Sequence, residues 1–258
     1  MKGTRSAWIE RFEDLLKEAP DDDPDLLAML YTPDSRLPGF LKKLKAYEAK
    51  QSPTSTERKA AGDLMEQVAF LTFRSLTDAC EPESYKAVGS QVDLEVTGVK
   101  ATWQVLLKVV GLKEGRHSFL LEAKATEGKV DVPVMTRLCA LMNLRPTVGL
   151  GIFFTLKGCT GEPSKNEGKA SLKDARYHQV LHYVRTGCPI IVFDLSDILA
   201  LKVPGSLVMQ IQQKIRDVEK VTVSAPESVG SYRQVKLPGH LAKLLGQSKK
   251  SGKRAARK

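Results

Sequence analysis

Cysteine is scarce in this chain of 258 residues, and the four that occur lie far apart: Cys80, Cys139, Cys159 and Cys188. No two of them form a CxxC pair, and none is spaced from histidine as in a zinc finger. The sequence therefore argues against a disulfide framework and against a structural zinc site. We expect the cysteines to be reduced and structural.

Long apolar runs are also missing. No stretch of about 20 uncharged apolar residues, as a membrane span requires, occurs, and the first residues lack the apolar core of a signal peptide. We therefore expect a cytoplasmic protein that does not contact membranes. The hydrophobic content of 42% is still enough to bury a sizeable core.

Several functional motifs are absent as well. The chain has no GxGxxG, no Walker A lysine loop and no GxSxG, so nucleotide hydrolysis and acyl transfer have no support. Aromatic residues make up 6% of the chain and are not interleaved with basic ones, which argues against an RRM-type or OB-type platform for single strands. We expect Trp8 and Trp103 to be core or interface residues.

Positive charge is present in excess and is unevenly placed. The net charge is +10, and from Lys236 onward the sequence contains eight cations and no acid. We predict a disordered basic tail over 236–258, which would add salt-sensitive attraction to phosphates. A tail that only increases solubility is the alternative interpretation.

The order of segments predicts an α/β protein. Two amphipathic segments, "SAWIERFEDLLKEA" and "LPGFLKKLKAYEAK", form an N-terminal helical extension over 1–52, and a further helix and connection occupy 204–235. Between them, over 53–203, we predict a core of order α-β-β-β-α-β-α-β with one mixed β-sheet flanked by helices. Its first helix runs from 57 to 77 and is capped by Ser55 or Thr56.

Three apolar runs after that helix predict a β-meander: "YKAVGSQVDLEV", "ATWQVLLKVVGL" and "HSFLLEAKA". The segments that follow are a helix, "VPVMTRLCALMNL", a strand, "TVGLGIFFTL", a helix that ends at Gly187, "ASLKDARYHQVLHYVR", and a last strand, "CPIIVFDL".

Acidic and basic residues interrupt two of these apolar runs. Glu122 and Lys124 lie two residues apart, so they emerge on one face of a strand, and Asp93 lies in an earlier alternating run. A meander can bring Asp93 beside Glu122, and two adjacent carboxylates favour a divalent cation, Mg²⁺ or Mn²⁺. Such an ion activates water and stabilises charge in phosphoryl displacement, while Lys124 can position the attacking water. An isolated Glu-x-Lys is more often a weak surface ion pair, and it is the addition of Asp93 that favours a functional site.

The helix before these strands contributes Glu66, whose neighbours at i+3 and i+4 are Ala69 and Phe70. A carboxylate on a largely apolar surface requires a cation or a hydrogen-bond donor. Glu66 is therefore either part of the catalytic group, as a second metal ligand or as the residue that holds a metal-bound water, or a helix-surface acid opposite Lys59 or Arg74.

"GDLMEQ", "GSQVDLEV" and "LLEAKAT", in this order, resemble the motifs of the PD-(D/E)XK phosphodiesterases, which share the restriction-endonuclease-like fold. The later segments "VGLGIFFTLKG", "ASLKDARYHQV" and "CPIIVFDLSDIL" are similar to the end of Mrr-like restriction endonucleases. The resemblance implies that Asp93, Glu122 and the carbonyl of Ala123 hold the metal, that Lys124 orients the nucleophile and that Glu66 assists.

The same resemblance implies a Mg²⁺-dependent endonuclease that hydrolyses DNA, in restriction or anti-phage defence, with the N-terminal helices contacting a second copy or a protein partner. RNA is an alternative substrate, since the metal chemistry does not distinguish sugars. A second hypothesis is a non-catalytic nucleic-acid-binding or scaffolding subunit that retains the fold.

Basic residues around the 157–169 loop and the following helix predict a surface for the phosphate backbone, together with two lysines of the tail. The predicted contacts are Lys157, Lys165, Lys169, Lys173, Arg176, His178, Lys249 and Lys250. On that helix, Asp174, His178 and His182 recur every four residues, which is a metal spacing, although histidines that face nucleic acid or pack at a helix edge explain it better.

Overall fold

The structure is a computed structural model that describes residues 22–50, 52–80, 82–87, 90–98, 100–125, 128–161 and 172–223. Some predictions lie outside these residues. They concern the segment "SAWIERFEDLLKEA", Trp8, Lys165, Lys169, Lys249, Lys250 and the tail over 236–258.

The centre of the described chain is a five-stranded mixed sheet in which strands that follow one another in sequence are also neighbours in space. The strands are β1 (Glu83–Ala87), β2 (Ser90–Thr97), β3 (Ser118–Lys124), β4 (Val148–Thr155) and β5 (Ile190–Phe193). The first three pair antiparallel, whereas β4 lies parallel to both β3 and β5. The parallel pairings require crossover helices, and the chain supplies one before β4 and one before β5.

Helices flank this sheet, which confirms the predicted mixed sheet flanked by helices. They are α1 (Pro24–Leu30), α2 (Leu37–Glu48), α3 (Ser55–Arg74), α4 (Ala101–Val109), α5 (Val132–Asn143), α6 (Ala175–Thr186), α7 (Leu195–Ala200) and α8 (Ser206–Val223). Sequence analysis missed the short helices α1 and α7. Within the described residues, no helix combines the length and the apolar character needed to cross a bilayer.

The predicted β-meander is wrong in its middle segment. "ATWQVLLKVVGL" forms the helix α4, whose Trp103 and Leu106 are fully buried. The third strand of the antiparallel set arises instead because "YKAVGSQVDLEV" contains two strands, β1 and β2. An apolar run rich in valine and threonine favours a strand by composition, but packing decides the outcome, and six of the nine residues of α4 are buried.

Hydrophobic side chains cover both faces of the sheet. Leu121 of β3 packs in a cluster with Met65 of α3, whereas its neighbour Leu120 packs on the opposite face with Leu138 of α5. The alternation of side chains along β3 therefore separates the two hydrophobic layers.

Helices α1 and α2 join the first of these layers through Leu27, Leu41 and other leucines. The chain divides into two compact units after Glu219, so the boundaries predicted at 52 and 203 fall inside the first unit. Of the second unit, only 220–223 are described.

Helix termini show one prediction confirmed and one corrected. Gly187 ends α6 with φ of 65°, a left-handed conformation that glycine adopts without strain. The cap of α3 is Thr54, not Ser55 or Thr56. The Thr54 hydroxyl accepts the Glu57 N–H at 3.3 Å, and Glu57 Oε2 accepts the Thr54 N–H at 2.8 Å. This reciprocal pair is a capping box.

The four cysteines all belong to the described residues and form no disulfide, and Cys159 and Cys188 are buried. Burial raises the pKa of the half-buried Cys139 thiol to about 11, which keeps it protonated and unreactive. Trp103 is buried, donates its indole N–H to the His117 carbonyl at 2.9 Å and packs against Phe119.

Candidate active site

Asp93 and Glu122 lie on adjacent antiparallel strands. Leu94 of β2 is paired with Leu121 of β3. Because the strands are antiparallel, Asp93, which precedes Leu94, comes opposite Glu122, which follows Leu121. Asp93 Oδ2 accepts a hydrogen bond of 2.7 Å from the backbone N–H of Ala123. The carboxylate of β2 is therefore fixed directly against the Glu122-Ala123-Lys124 segment of β3.

Glu122 is almost completely buried and lies between two cations. Its side chain is 1% exposed, and Oε1 lies 2.9 Å from Lys124 Nζ and 3.3 Å from Arg137 Nη1. A buried carboxylate is costly unless opposite charge compensates it, and these two cations supply that charge. Neither contact has hydrogen-bond geometry, so Oε1 accepts no hydrogen bond from the described residues.

Glu66 of α3 lies within electrostatic reach of the same group. Partial burial raises its pKa, and the negative charges of Asp93 and Asp63 raise it further, while the positive charge of Lys124 opposes them. The four acids and bases proposed from the sequence, Glu66, Asp93, Glu122 and Lys124, therefore come together. Among the described residues, no group of three or more His, Cys, Asp or Glu side chains is placed to share a metal ion.

Arg137 is the member of this group that sequence analysis missed. It projects from α5, the helix that follows β3, and its side chain is 40% exposed. The only hint in the sequence is a cation inside the apolar segment "VPVMTRLCALMN". Such a residue is ordinarily a solvated position on the polar face of a helix, so the pattern alone does not connect it to Glu122.

A cleft of about 610 Å³ opens beside the carboxylates. Its lining comes from β2 and from the helices α2 and α3, and consists of Arg36, Phe40, Asp63, Glu66, Gln67, Phe70, Leu71, Asp93 and Leu94. Since Glu66 and Asp93 belong to both, the cleft is continuous with the acidic group.

The predicted phosphate-backbone surface is only partly described. Lys157 Nζ forms an ion pair with Glu48 Oε1 at 2.8 Å, and Lys173 is exposed. Arg176 is half-buried and donates to Gln179 Oε1 at 3.0 Å. The imidazole Nε2 of His178 lies 3.1 Å from the Leu172 carbonyl. Lys157 and Lys173 thus present charge at the surface, whereas Arg176 also has an internal partner.

The repeated histidines of α6 have different environments. His182 is 5% exposed, and burial lowers its pKa. Its Nε2 has no hydrogen-bond partner among the described residues. Asp174 is the N-cap position of the helix. His182 is thus a neutral core residue, which agrees with the packing interpretation of the His-x-x-x-His spacing.

Comparison of the chain with protein-family models, with curated proteins and with solved structures gives no match. The geometry of the site is therefore the basis for assigning a function.

Proposed function

We propose that this protein is a Mg²⁺-dependent endonuclease of the PD-(D/E)XK type that hydrolyses phosphodiester bonds in DNA. One observation carries the proposal, namely the 2.7 Å hydrogen bond from the Ala123 N–H to Asp93 Oδ2. It joins the aspartate of one strand to the Glu-x-Lys segment of the next, which is the arrangement that the resemblance implies. A chance surface ion pair does not require this register.

The available oxygen atoms fit a hard divalent cation. Mg²⁺ and Mn²⁺ prefer carboxylate and carbonyl oxygens, and Asp93, Glu122 and the Ala123 carbonyl would hold the ion. Glu122 Oε1 is buried without a hydrogen bond from the described residues, and burial, followed by the charges of Asp93 and Asp63, raises the pKa of Glu66. Bound there, the cation supplies positive charge to the phosphate oxygens and acidifies water.

Three side chains of the protein supply the other parts of the mechanism. Lys124 Nζ, held against Glu122, orients the attacking water and offsets the negative charge that develops on the phosphate. Glu66, at the mouth of the cleft, accepts a hydrogen bond from water near Asp93. Arg137, partly exposed beside Glu122, contacts a non-bridging phosphate oxygen, for which a guanidinium is well suited.

The test is plasmid cleavage by purified variants in Mg²⁺ or Mn²⁺. Asp93→Ala and Lys124→Ala should each lower the cleavage rate by at least about 100-fold, since each removes charge from the transition state. DNA binding in EDTA should change little. Lys108→Ala, which removes an exposed lysine of α4 outside the site, is the matched control and should cleave normally. Cleavage that survives both site substitutions would exclude the mechanism.

Substrate choice and biological role are extensions of this proposal. The resemblance to Mrr-like enzymes favours DNA and a role in restriction or anti-phage defence. Parallel digests of DNA and RNA oligonucleotides of one sequence test the first point. Plaque counts on cells that produce the wild-type protein or Asp93→Ala test the second, and equal counts would remove the defence role.

The burial of Glu122 favours one second candidate, a non-catalytic nucleic-acid-binding or scaffolding subunit. A carboxylate that is 1% exposed and compensated by Lys124 and Arg137 is also a stable internal ion cluster. Calorimetric titration with Mn²⁺ separates the two functions. The nuclease should bind Mn²⁺ at micromolar to millimolar concentrations and lose binding on Asp93→Ala, whereas the scaffold should show no site.

A further inference from the structure

The cleft beside the active site is lined by both apolar and charged side chains. Phe40, Phe70 and Leu94 contribute apolar surface, while Asp63, Glu66 and Asp93 contribute carboxylates. Arg36 also lines the cleft, but its guanidinium is paired with Asp34 at 2.7 Å. Carboxylates repel phosphate groups, so the cleft is poorly suited to a nucleic-acid backbone. Aromatic rings with hydrogen-bond acceptors around them instead suit a neutral, planar group that carries amino groups.

We propose that this cleft receives one unpaired nucleobase of the substrate strand, next to the bond that is cleaved. This inference rests on the proposed nuclease function and specifies its substrate. The base would stack on Phe70, since Lys43 Nζ lies over the ring of Phe40, and the exocyclic amino group of the base would donate to Asp63 or to the side chain of Gln67, which also lines the cleft.

The two rings are held in place by the protein core. Phe40 and Phe70 are both partly buried and pack against the main hydrophobic cluster, so a base would meet rigid surfaces. Lys43 Nζ lies 5.2 Å from the centre of the Phe40 ring and does not line the cleft. The cleft measures about 610 Å³, within the range that holds small ligands.

The position of the cleft connects base recognition to cleavage. Glu66 and Asp93 line it and also belong to the acidic group, so a base in the cleft places its own phosphate beside Asp93 and Lys124. A base within an intact duplex cannot enter without leaving its stack. The affinity should therefore be highest for a single strand, lower for a duplex with a mismatch and lowest for an intact duplex.

Binding provides the first test, because it does not depend on cleavage. A single-stranded oligonucleotide that contains 2-aminopurine is titrated with the protein in EDTA, and fluorescence should rise as the probe leaves its neighbouring bases. Phe70→Leu keeps the apolar contact but removes the ring, so it should weaken binding about tenfold. Phe70→Tyr keeps the ring and should bind as the wild type does. Thermal melting confirms that each variant is folded.

Val184→Ala serves as the control, because it removes an exposed apolar side chain of α6 outside the cleft. The single-stranded and mismatched oligonucleotides distinguish a strand that is already unpaired from a base that is flipped out of a duplex. Equal affinity of Phe70→Leu and Phe70→Tyr, or equal affinity of the wild type for intact and mismatched duplexes, would overturn the inference.

A separate substrate distinguishes this failure from failure of the nuclease function. Bis(p-nitrophenyl) phosphate is a phosphodiester without a base, and its Mg²⁺-dependent hydrolysis by the wild type reports only the chemistry at Asp93 and Lys124. If the wild type hydrolyses this substrate but the Phe70 substitutions do not change binding of the 2-aminopurine probe, the base cleft alone is rejected. Absence of hydrolysis together with ring-dependent binding of the probe rejects the nuclease function and retains the cleft.

Discussion

At the scale of single residues, Glu122 has the most constrained environment in the site. It is 1% exposed, and its partners Lys124 and Arg137 are 30% and 40% exposed. Their exposure means that solvent weakens each ion pair, yet removal of one partner leaves a buried carboxylate with less compensation. The same two cations therefore affect both stability and the proposed chemistry.

Arg137 provides the first residue-scale prediction. Arg137→Ala should lower the free energy of unfolding by about 1 kcal/mol, since the lost partner is partly solvated, and plasmid cleavage by at least about tenfold. Arg137→Lys, which preserves the charge, should recover the stability but only part of the activity, because lysine lacks the planar fork. Urea unfolding and cleavage rates measure the two effects. Normal cleavage by a folded Arg137→Ala protein would show that Arg137 acts only on stability.

His182 provides a prediction about pH. Burial lowers the pKa of His182 below the ordinary value of 6.5. At a pH between the lowered pKa and 6.5, the unfolded chain therefore binds a proton that the folded chain does not. The contribution of His182 is complete above pH 6.5 and is lost as the pH falls through and below that value. His182→Leu should therefore reduce the decrease in melting temperature between pH 7.5 and 5.5.

The control for that measurement is His117→Gln, which changes an exposed histidine and should leave the pH dependence unaltered. An identical decrease in melting temperature for the wild type and His182→Leu would show that other groups carry the acid sensitivity.

The sequence identifies site residues when the pattern that marks them lies within a single strand or helix. Glu122 and Lys124 share a strand face, and Asp93 lies in a clear alternation whose Leu94 and Val96 are indeed buried. Arg137 was not predictable, because its partner is on a different element and a helical arginine is ordinarily solvated. The internal hydrogen bond of Arg176 was equally hidden, since Gln179 becomes a buried partner only when α6 is packed.

At the scale of elements, the start of α3 allows a direct test of a corrected prediction. Thr54 accepts the Glu57 N–H, whereas Ser55, one of the two caps predicted from the sequence, is already the first residue of the helix. Thr54→Ala should lower the free energy of unfolding by about 1 kcal/mol, and Ser55→Ala should change it little. Urea unfolding of both variants checks this. A larger loss of unfolding free energy for Ser55→Ala than for Thr54→Ala would show that Ser55 is the cap.

Elements with a clear periodicity were predictable, and uniformly apolar ones were not. The last two strands and the helix that precedes each of them match their predicted segments, because polar turns separate them. "ATWQVLLKVVGL" was wrongly predicted as a strand because its threonine and valines favour strands, although Gln104 and Lys108, four residues apart and both exposed, mark the polar side of a helix. The hairpin of β1 and β2 was not predicted, because the apolar alternation of "YKAVGSQVDLEV" favours one continuous strand.

At the scale of the whole molecule, the packing explains why the site can be both buried and accessible. The face of β3 that carries Leu120 is covered by α5, and Glu122 lies near Arg137 of the same helix. Asp93 and Glu66, by contrast, border the open cleft on the side of α2 and α3. Sequence order alone could predict a mixed sheet flanked by helices, but not this division, because it depends on which layer each helix joins.

The basic end of the chain gives the prediction for the whole molecule. Deletion of 236–258 removes eight cations and no acid and reduces the net charge from +10 to +2. If these cations contact phosphates, DNA affinity should fall, and the slope of log K against log salt should decrease in magnitude by up to about seven, since each neutralised phosphate of duplex DNA contributes about 0.9. Fluorescence anisotropy with labelled duplex over a series of NaCl concentrations measures the slope.

A full-length chain with the eight cations changed to glutamine separates charge from length, and it should behave as the deletion does. An unchanged slope in both proteins would leave the tail as a solubilising segment and would assign nonspecific affinity to cations such as Lys157 and Lys173 in the folded unit.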